Sequence, residues 1–182
     1  MPMGYYLNFM DTYYTIEEKY LQAVEELSYG ETPKALNLLN DLITNDPLYA
    51  RAHFQIGKIY YYDFKDYQTA GYHFKTCMEL DPLFSDNYFH YLKLVVFLKM
   101  DKQVKIVANA ALNTPGVNTG AIYDLLGLYA EKNKDWDKAL EAYRNAFMEA
   151  VTKEQLEGIE QSINRVKLKI QRGITYHYTL AE

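Results

Sequence analysis

The chain has 182 residues, of which 49% are hydrophobic and 24% charged, which suits one compact globular domain and excludes an extended disordered chain. Its formal net charge of −5 argues against a general affinity for nucleic acid or anionic membranes. No apolar run approaches the roughly 18 residues of a membrane-spanning helix, and a single cysteine excludes a framework of disulfides within the chain. These totals predict a cytoplasmic protein.

The first 15 residues form an aromatic-rich segment that includes GYYLNFMDTYY (4–14). This stretch lacks the basic start and long apolar core of a secretory signal. It contributes to a total of 19 tyrosines, which combine an apolar ring with a polar tip. We predict a separate N-terminal segment at 1–15, before the helical part of the chain.

Capping signals then divide the chain into nine predicted helices. Thr15 with Glu18, and Thr152 with Gln155, have the spacing of capping boxes. One Thr-Pro and two Asp-Pro pairs offer an N-cap followed by proline at the first helical position. Gly30 fits the left-handed residue at which many helices end. The predicted helices are 16–29, 32–45, 48–62, 66–80, 83–98, 101–113, 118–132, 136–150 and 153–172.

The first eight helices pair into four repeats of about 35 residues. One small-residue position recurs at intervals of 35, 34 and 35 residues and is occupied by Ala35, Ala70, Val104 and Ala139. The second repeat carries the fullest pattern: His53, Ile56-Gly57, Tyr60, Ala70, Phe74 and Pro82, with one extra residue between its helices. The fourth repeat carries Tyr123, Leu126-Gly127, Ala130, Ala139, Tyr143 and Ala146. The first keeps Ala35, Leu39 and Pro47, and the degenerate third has Tyr88, Tyr91-Leu92, Val95, Val104, Ala108 and Ala111.

This pattern resembles that of the tetratricopeptide-repeat (TPR) family, in which a Trp-like residue, Leu-Gly and Tyr precede Ala, Phe and a closing Pro. The resemblance covers residues 16–151. It implies an all-α fold, a right-handed α-solenoid of about four helix pairs. Because no single pair buries its apolar face alone, the pairs must stack.

The last predicted helix is expected to cap the solenoid. Residues 152–173 carry an apolar stripe at helical spacing, made of Leu156, Ile159, Ile163, Val166 and Ile170. Gly173 is expected to end this helix. The strict alternation of ITYHYTL (174–180) predicts an extended tail over 174–182.

The resemblance also implies a binding surface, because the first helix of each TPR repeat lines the concave face. The family's groove positions, carried onto this sequence, are Tyr20, Phe54, Lys58, Tyr61, Tyr62, Phe89, Lys93, Asp124 and Leu128. They describe an aromatic groove with two lysines midway and an acid, Asp124, toward the C-terminal end. Two alternatives stay open: these side chains pack on neighbouring helices, or the chain's own termini fill the groove. The carboxylate clamp of chaperone-binding TPR domains is not reproduced, because only the lysines could serve in it.

No residue pattern predicts catalysis, a metal or a cofactor. Cys77 falls at a small-residue position of the second repeat and is expected to be a buried core thiol. His53, His73, His90 and His177 lack the spacing of metal ligands.

We therefore expect an interaction adaptor or scaffold rather than an enzyme, with a protein or peptide partner held in the concave groove. Neither nucleic acid nor membrane is an expected partner. The alternatives are a self-associating structural subunit, with a homodimer formed through the aromatic termini, and a TPR-type chaperone for secreted substrates.

Overall fold

A computed structural model describes residues 15–179, with side-chain surroundings for 15–173. All regular structure in this part of the chain is helical. The helices are α1 (Ile16–Ser28), α2 (Thr32–Asn45), α3 (Ala50–Ile59), α4 (Tyr67–Leu80), α5 (Ser85–Phe97), α6 (Asp101–Leu112), α7 (Thr119–Lys132), α8 (Trp136–Glu149) and α9 (Lys153–Thr179). The predicted N-terminal segment lies outside the described residues, apart from Thr15.

The first eight helices form four pairs, α1 with α2, α3 with α4, α5 with α6, and α7 with α8. Consecutive pairs stack through the contacts of α2 with α3, α4 with α5, and α6 with α7, and α9 packs against α8. The predicted all-α solenoid of helix pairs is confirmed. Both predicted capping boxes form, with Glu18 N–H donating to Thr15 Oγ1 (3.2 Å) and Gln155 N–H donating to Thr152 Oγ1 (3.2 Å).

Two glycines set the crossing of the second and fourth pairs. A Cβ atom on Gly57 would lie 2.7 Å from Cδ1 of Phe74, and one on Gly127 would lie 2.5 Å from Cδ1 of Tyr143. Real Cβ atoms do not approach other atoms so closely, so each aromatic ring occupies the space that the glycine leaves. In the third pair Leu92 occupies the glycine position and is fully buried, so that crossing is packed differently.

The turn inside each pair places one residue in the left-handed region. These residues are Gly30 (φ 80°), Lys65 (φ 57°), Lys99 (φ 55°) and Lys134 (φ 59°). In three of the turns the following N–H donates five residues back, for example from Asp135 N–H to Ala130 O at 3.0 Å, which is the Schellman geometry. Sequence reasoning identified only the glycine, because lysine rarely adopts positive φ.

The extra residue of the second repeat is accommodated in a π-helical segment, Tyr60–Phe64, that follows α3. There Asp66 N–H donates to Tyr60 O (3.0 Å), six residues back instead of five. A single-residue insertion in a helix commonly takes this form. The predicted helix 48–62 is therefore an α-helix that passes into a π turn.

The two Asp-Pro pairs do not start helices at the predicted position. The carboxylates of Asp46 and Asp81 accept from Leu48 N–H and Leu83 N–H, each at 3.1 Å. This contact two residues along the chain stabilises a turn. As a result α3 and α5 begin at Ala50 and Ser85, two residues later than predicted.

The predicted end of the last helix at Gly173 is wrong, and so is the extended tail as far as residue 179. Helix α9 continues through Thr179, and Gly173 does not have positive φ. Adding residues to an existing helix costs little compared with nucleating one, so α9 overrides the strand-like alternation of 174–179. Residues 180–182 lie outside the described part of the chain.

Helix α9 is held on α7 and α8 by an apolar stripe and a buried carboxylate. Ile159 and Val166 are buried, and Ile163 and Ile170 pack against the same cluster as Tyr143.

The carboxylate of Glu131, whose side chain is 4% exposed, accepts four hydrogen bonds. The donors are Arg165 Nε (2.9 Å), Arg165 Nη2 (2.8 Å), Lys169 Nζ (2.6 Å) and Tyr143 OH (2.8 Å). The pKa of Glu131 is lowered to about 2, and the hydrogen bonds from Arg165 are the main cause.

Replacing Lys134 with glycine is expected to stabilise the protein. A left-handed conformation costs a non-glycine residue about 1–2 kcal/mol, and glycine avoids this cost. The greater freedom of glycine in the unfolded chain offsets part of that gain. We expect Lys134→Gly to raise the free energy of unfolding by about 0.5–1 kcal/mol, measured by urea denaturation. Lys105→Gly, inside α6, is the matched control and should lower it by about 1 kcal/mol. A loss of stability in Lys134→Gly would contradict the assigned turn.

Replacing Glu131 with glutamine is expected to loosen α9. The change keeps the side-chain volume but removes the charge that Arg165 and Lys169 share. Because both cations are about half exposed, we expect a loss of about 2 kcal/mol, less than for a fully buried pair. Compared with the wild type, amide hydrogen exchange should accelerate in α9 more than in α3 or α5. Lys138→Met, which removes an exposed ion pair with Asp135, should leave exchange in α9 unchanged.

Candidate partner-binding groove

The first helices of successive pairs lie side by side and are linked by polar contacts. Gln55 Nε2 on α3 donates to Tyr20 OH on α1 (3.2 Å). The hydroxyl of Tyr62, in the π turn after α3, hydrogen-bonds with His90 Nδ1 on α5 (2.8 Å). The predicted groove residues therefore come from a continuous row of elements.

The centre of this row presents lysines over aromatic rings. Lys58 Nζ lies 5.2 Å from the ring centroid of Phe54. Lys93 Nζ lies 5.3 Å from the centroid of Tyr62 and 5.9 Å from that of Phe89. Neither lysine has a carboxylate within ion-pair distance among the described residues. Within the described part of the chain, the contacts of both ammonium groups are therefore with ring faces.

A concavity of about 370 Å³ opens beside these lysines. Its walls come from α3, α5 and the loop before α7: Phe54, Gln55, Lys58, Ser85, Asp86, Phe89, His90, Gly116, Val117 and Asn118. His90 and the 116–118 loop were not predicted as groove residues. No motif marks the loop, and His90 was weighed only as a metal ligand.

Burial divides the predicted aromatic residues into two groups. Tyr20 and Tyr61 are 9% exposed and Phe54 is 5% exposed. The ring of Phe54 packs edge-on against Phe84, with centroids 5.1 Å apart. The side chains of these three residues therefore pack against neighbouring helices, which is the first of the two alternatives that the sequence left open. Tyr62, Phe89 and both lysines keep partial exposure.

Asp124 and Leu128 lie farther along, on α7, and both are partly buried. Asp124 lines a second concavity of about 300 Å³ between α7, α8 and α9, together with Gly120, Ala121, Glu149, Glu154 and Gly158, among others. Burial raises the pKa of Asp124, and the charge of Arg165 opposes this rise. Leu128 lines neither concavity.

The histidines of the second repeat form a buried hydrogen-bonded pair. His53 Nδ1 and His73 Nδ1 are 2.9 Å apart, and His53 Nε2 is 3.1 Å from Pro47 O. Since a carbonyl only accepts, His53 must carry its proton on Nε2 and His73 must donate through Nδ1. Burial lowers the pKa of both rings, that of His73 to about 4.

The other sequence candidates for chemistry are built into the core. Cys77 is fully buried, and burial raises the pKa of its thiol to about 12. No set of three or more His, Cys, Asp or Glu side chains within the described residues is placed to hold a metal ion. None of the described helices is both long and apolar enough to cross a membrane.

Comparison with known proteins gives matches among solved structures only. No protein-family profile matches the chain, and no curated protein matches it. A crystal structure of MamA superimposes with a TM-score of 0.64 at 16% identity, covering 88% of this chain and 94% of that one. MamA from Desulfovibrio magneticus RS-1, from residue 41 to the end, gives 0.63 at 18% identity over 87% and 96%. PilW, a widely conserved type IV pilus biogenesis factor, gives 0.63 at 14% identity over 88% and 94%.

The fold and the row of first helices thus define a helical solenoid with a grooved face. MamA and PilW are TPR-repeat proteins, so this chain has the fold of a TPR solenoid, and the resemblance read from the sequence is confirmed. At these low sequence identities, the similarity to MamA and PilW is a similarity of fold.

The stability of the protein is expected to fall in mild acid because of its buried histidines. Burial lowers the pKa of His73 and His90 to about 4. The charges of Lys58 and Lys93 also lower the pKa of His90, whereas the charge of Asp86 raises it. The unfolded chain, with histidine pKa near 6.5, therefore binds more protons below that value. The stabilisation is complete above about pH 6.5 and is lost as the pH falls toward 4. We expect a loss on the order of 2 kcal/mol for each ring, measured by urea denaturation across this window.

His90→Asn separates the histidine contribution from that of the carboxylates. Asparagine keeps an acceptor for the Tyr62 hydroxyl but does not titrate. The variant should be less stable than the wild type at pH 7, yet lose less stability between pH 6.5 and 4. Parallel pH curves for the two proteins would show that His90 does not contribute.

Proposed function

We propose that this protein is a TPR-type scaffold that binds a segment of another protein in the groove formed by α3, α5 and the loop before α7. Its structural neighbours are TPR scaffold proteins, which supports a role in protein–protein interaction in general. The partner segment would be an extended peptide or an amphipathic helix, the two forms that such grooves accept. We propose no catalytic role and no cofactor. The predicted cytoplasmic location and a protein partner, with neither nucleic acid nor membrane, remain part of this proposal.

The observation that carries the proposal is the pair of lysines over ring faces. Among the described residues, neither Lys58 nor Lys93 has a carboxylate within ion-pair distance, although Asp86 also lines the concavity beside them. The positive charges of these lysines would attract an Asp, Glu or C-terminal carboxylate of the partner and so steer the encounter. The partly exposed ring of Phe89 supplies the aromatic anchor that commonly contributes most to a contact. Phe54, being buried, acts as the support beneath Lys58.

The test is site-specific photo-cross-linking in cells that naturally produce the protein. A benzophenone amino acid replaces Phe89 in the groove or, as the matched control, Tyr72, which is 63% exposed on α4. We expect a discrete adduct with another protein from position 89 and not from position 72. Adding Lys58→Glu and Lys93→Glu to the position-89 probe should abolish the adduct, while helix content by circular dichroism stays unchanged.

Three outcomes would contradict the proposal. One is the same adduct from position 72, and another is an adduct that survives the charge reversal. The third is an adduct with twice the mass of this chain and no other partner, which would favour the self-associating subunit. Light scattering on the purified protein would then give the stoichiometry.

A further inference from the structure

Among the described residues, charges of opposite sign without an ion-pair partner lie at or beside the two concavities of the groove. The inference drawn from this rests on the proposed function, because it concerns the segment bound there. Lys58 lines the first concavity, and Lys93 Nζ lies 5.9 Å from the ring centroid of Phe89, which also lines it. Asp124 lies at the second, and Asn118 lines both, so the two concavities adjoin.

Asp124 is an unusual carboxylate within the described structure. It is partly buried, and the described residues give it neither a hydrogen-bond donor nor a cation within ion-pair distance. The charge of Arg165 acts on Asp124, but its Nε and Nη2 groups donate to Glu131 and Tyr143 instead. Partial burial removes part of the hydration of this carboxylate, and a cationic donor brought by a ligand would compensate that loss.

The second concavity has the shape and the rim to admit such a donor. Gly120, Ala121 and Gly158 keep it open, because none of them has a side chain beyond Cβ. Glu149 and Glu154 add negative charge at the rim, although Glu149 also accepts from Thr119 Oγ1 (3.1 Å). At about 300 Å³ the space exceeds the volume of a single long side chain. Ile159 supplies apolar surface for the stem of a lysine or arginine.

We propose that the second concavity receives a lysine or arginine side chain of the bound segment. The segment then lies in the groove in one direction, with its acidic or carboxylate group at Lys58 and Lys93 and its basic residue at Asp124. Reversing the segment would bring like charges together at both places, which costs affinity and therefore selects one orientation.

Helix α9 offers a matched pair of positions for testing this proposal. A Cβ added to Gly158 or to Gly173 meets no atom within 4 Å, so a larger side chain fits at either place. Gly158 lines the second concavity, whereas Gly173 lies on the same helix outside it. Gly158→Phe should therefore fill the concavity, and Gly173→Phe should leave it open. Asp124→Asn removes the charge without filling the space.

The experiment pans a phage-displayed library of random peptides on the immobilised full chain and on the three variants. From the wild type and Gly173→Phe we expect peptides enriched both in Asp or Glu and in Lys or Arg, at a consistent spacing and in one order. From Gly158→Phe and Asp124→Asn we expect the acidic and aromatic residues to remain enriched and the basic residue to return to its library frequency. A synthetic peptide of the wild-type consensus should bind Asp124→Asn about tenfold more weakly, as expected for loss of a partly exposed ion pair.

Each contrary result has a distinct meaning. Equal enrichment of Lys or Arg on the wild type and on both Gly158→Phe and Asp124→Asn would overturn the assignment of the second concavity. Wild-type peptides that are acidic and aromatic without a basic residue would overturn it as well, while leaving the proposed function intact. Failure of the wild type to enrich any peptide would count against the proposed function, and the present inference would fall with it.

Discussion

The contact on which the rest of the structure depends is the packing of an aromatic ring on a glycine at the helix crossing. Phe74 lies on Gly57 and Tyr143 lies on Gly127, each at a separation that no Cβ would permit. In the second and fourth pairs this contact sets how closely the second helix approaches the first. Because the four pairs stack in chain order, the first helices form a row, and the side chains on their free faces share one surface. The groove follows from the packing of residues that do not line it.

The C-terminal end of the solenoid and the groove are connected through the same ionic cluster. Tyr143, which packs on Gly127, also donates to Glu131, and Glu131 holds Arg165 and Lys169 of α9. Capping the last pair thus uses two cations of α9. Arg165 therefore pairs with Glu131, and Asp124 on the same helix has no donor among the described residues.

The central repeats contribute a similar coupling between core and groove. Phe54 supports Lys58 from a buried position, and His90 joins α5 to the π turn through Tyr62. In these repeats the partly exposed groove candidates are Phe89, the two lysines and Tyr62. Ring faces already lie under the two ammonium groups, and such ordering before binding reduces the entropy that binding would cost.

Local sequence patterns were enough to predict the helices, the 35-residue period and the stacked solenoid. Caps, glycines and apolar spacing act over a few residues, so Thr15 with Glu18 and Thr152 with Gln155 could be recognised without the fold. Predictions near the helix ends were less accurate, because Asp46 and Asp81 stabilise turns and α9 propagates past Gly173. Lys65, Lys99 and Lys134 take left-handed conformations that their residue type disfavours.

The character of the groove was decided only by the tertiary structure. Sequence placed Phe54 and Phe89 at equivalent positions, yet packing between α3, α4 and α5 buries one and leaves the other partly exposed. Likewise Asp124 and Glu131 are two acids on one helix, and only the position of α9 determines which of them receives Arg165. Periodicity assigns a residue to a face of its helix. Its exposure and its partners depend on which other helices reach that face, and those contacts join residues more than 30 positions apart, as Arg165 and Glu131 are.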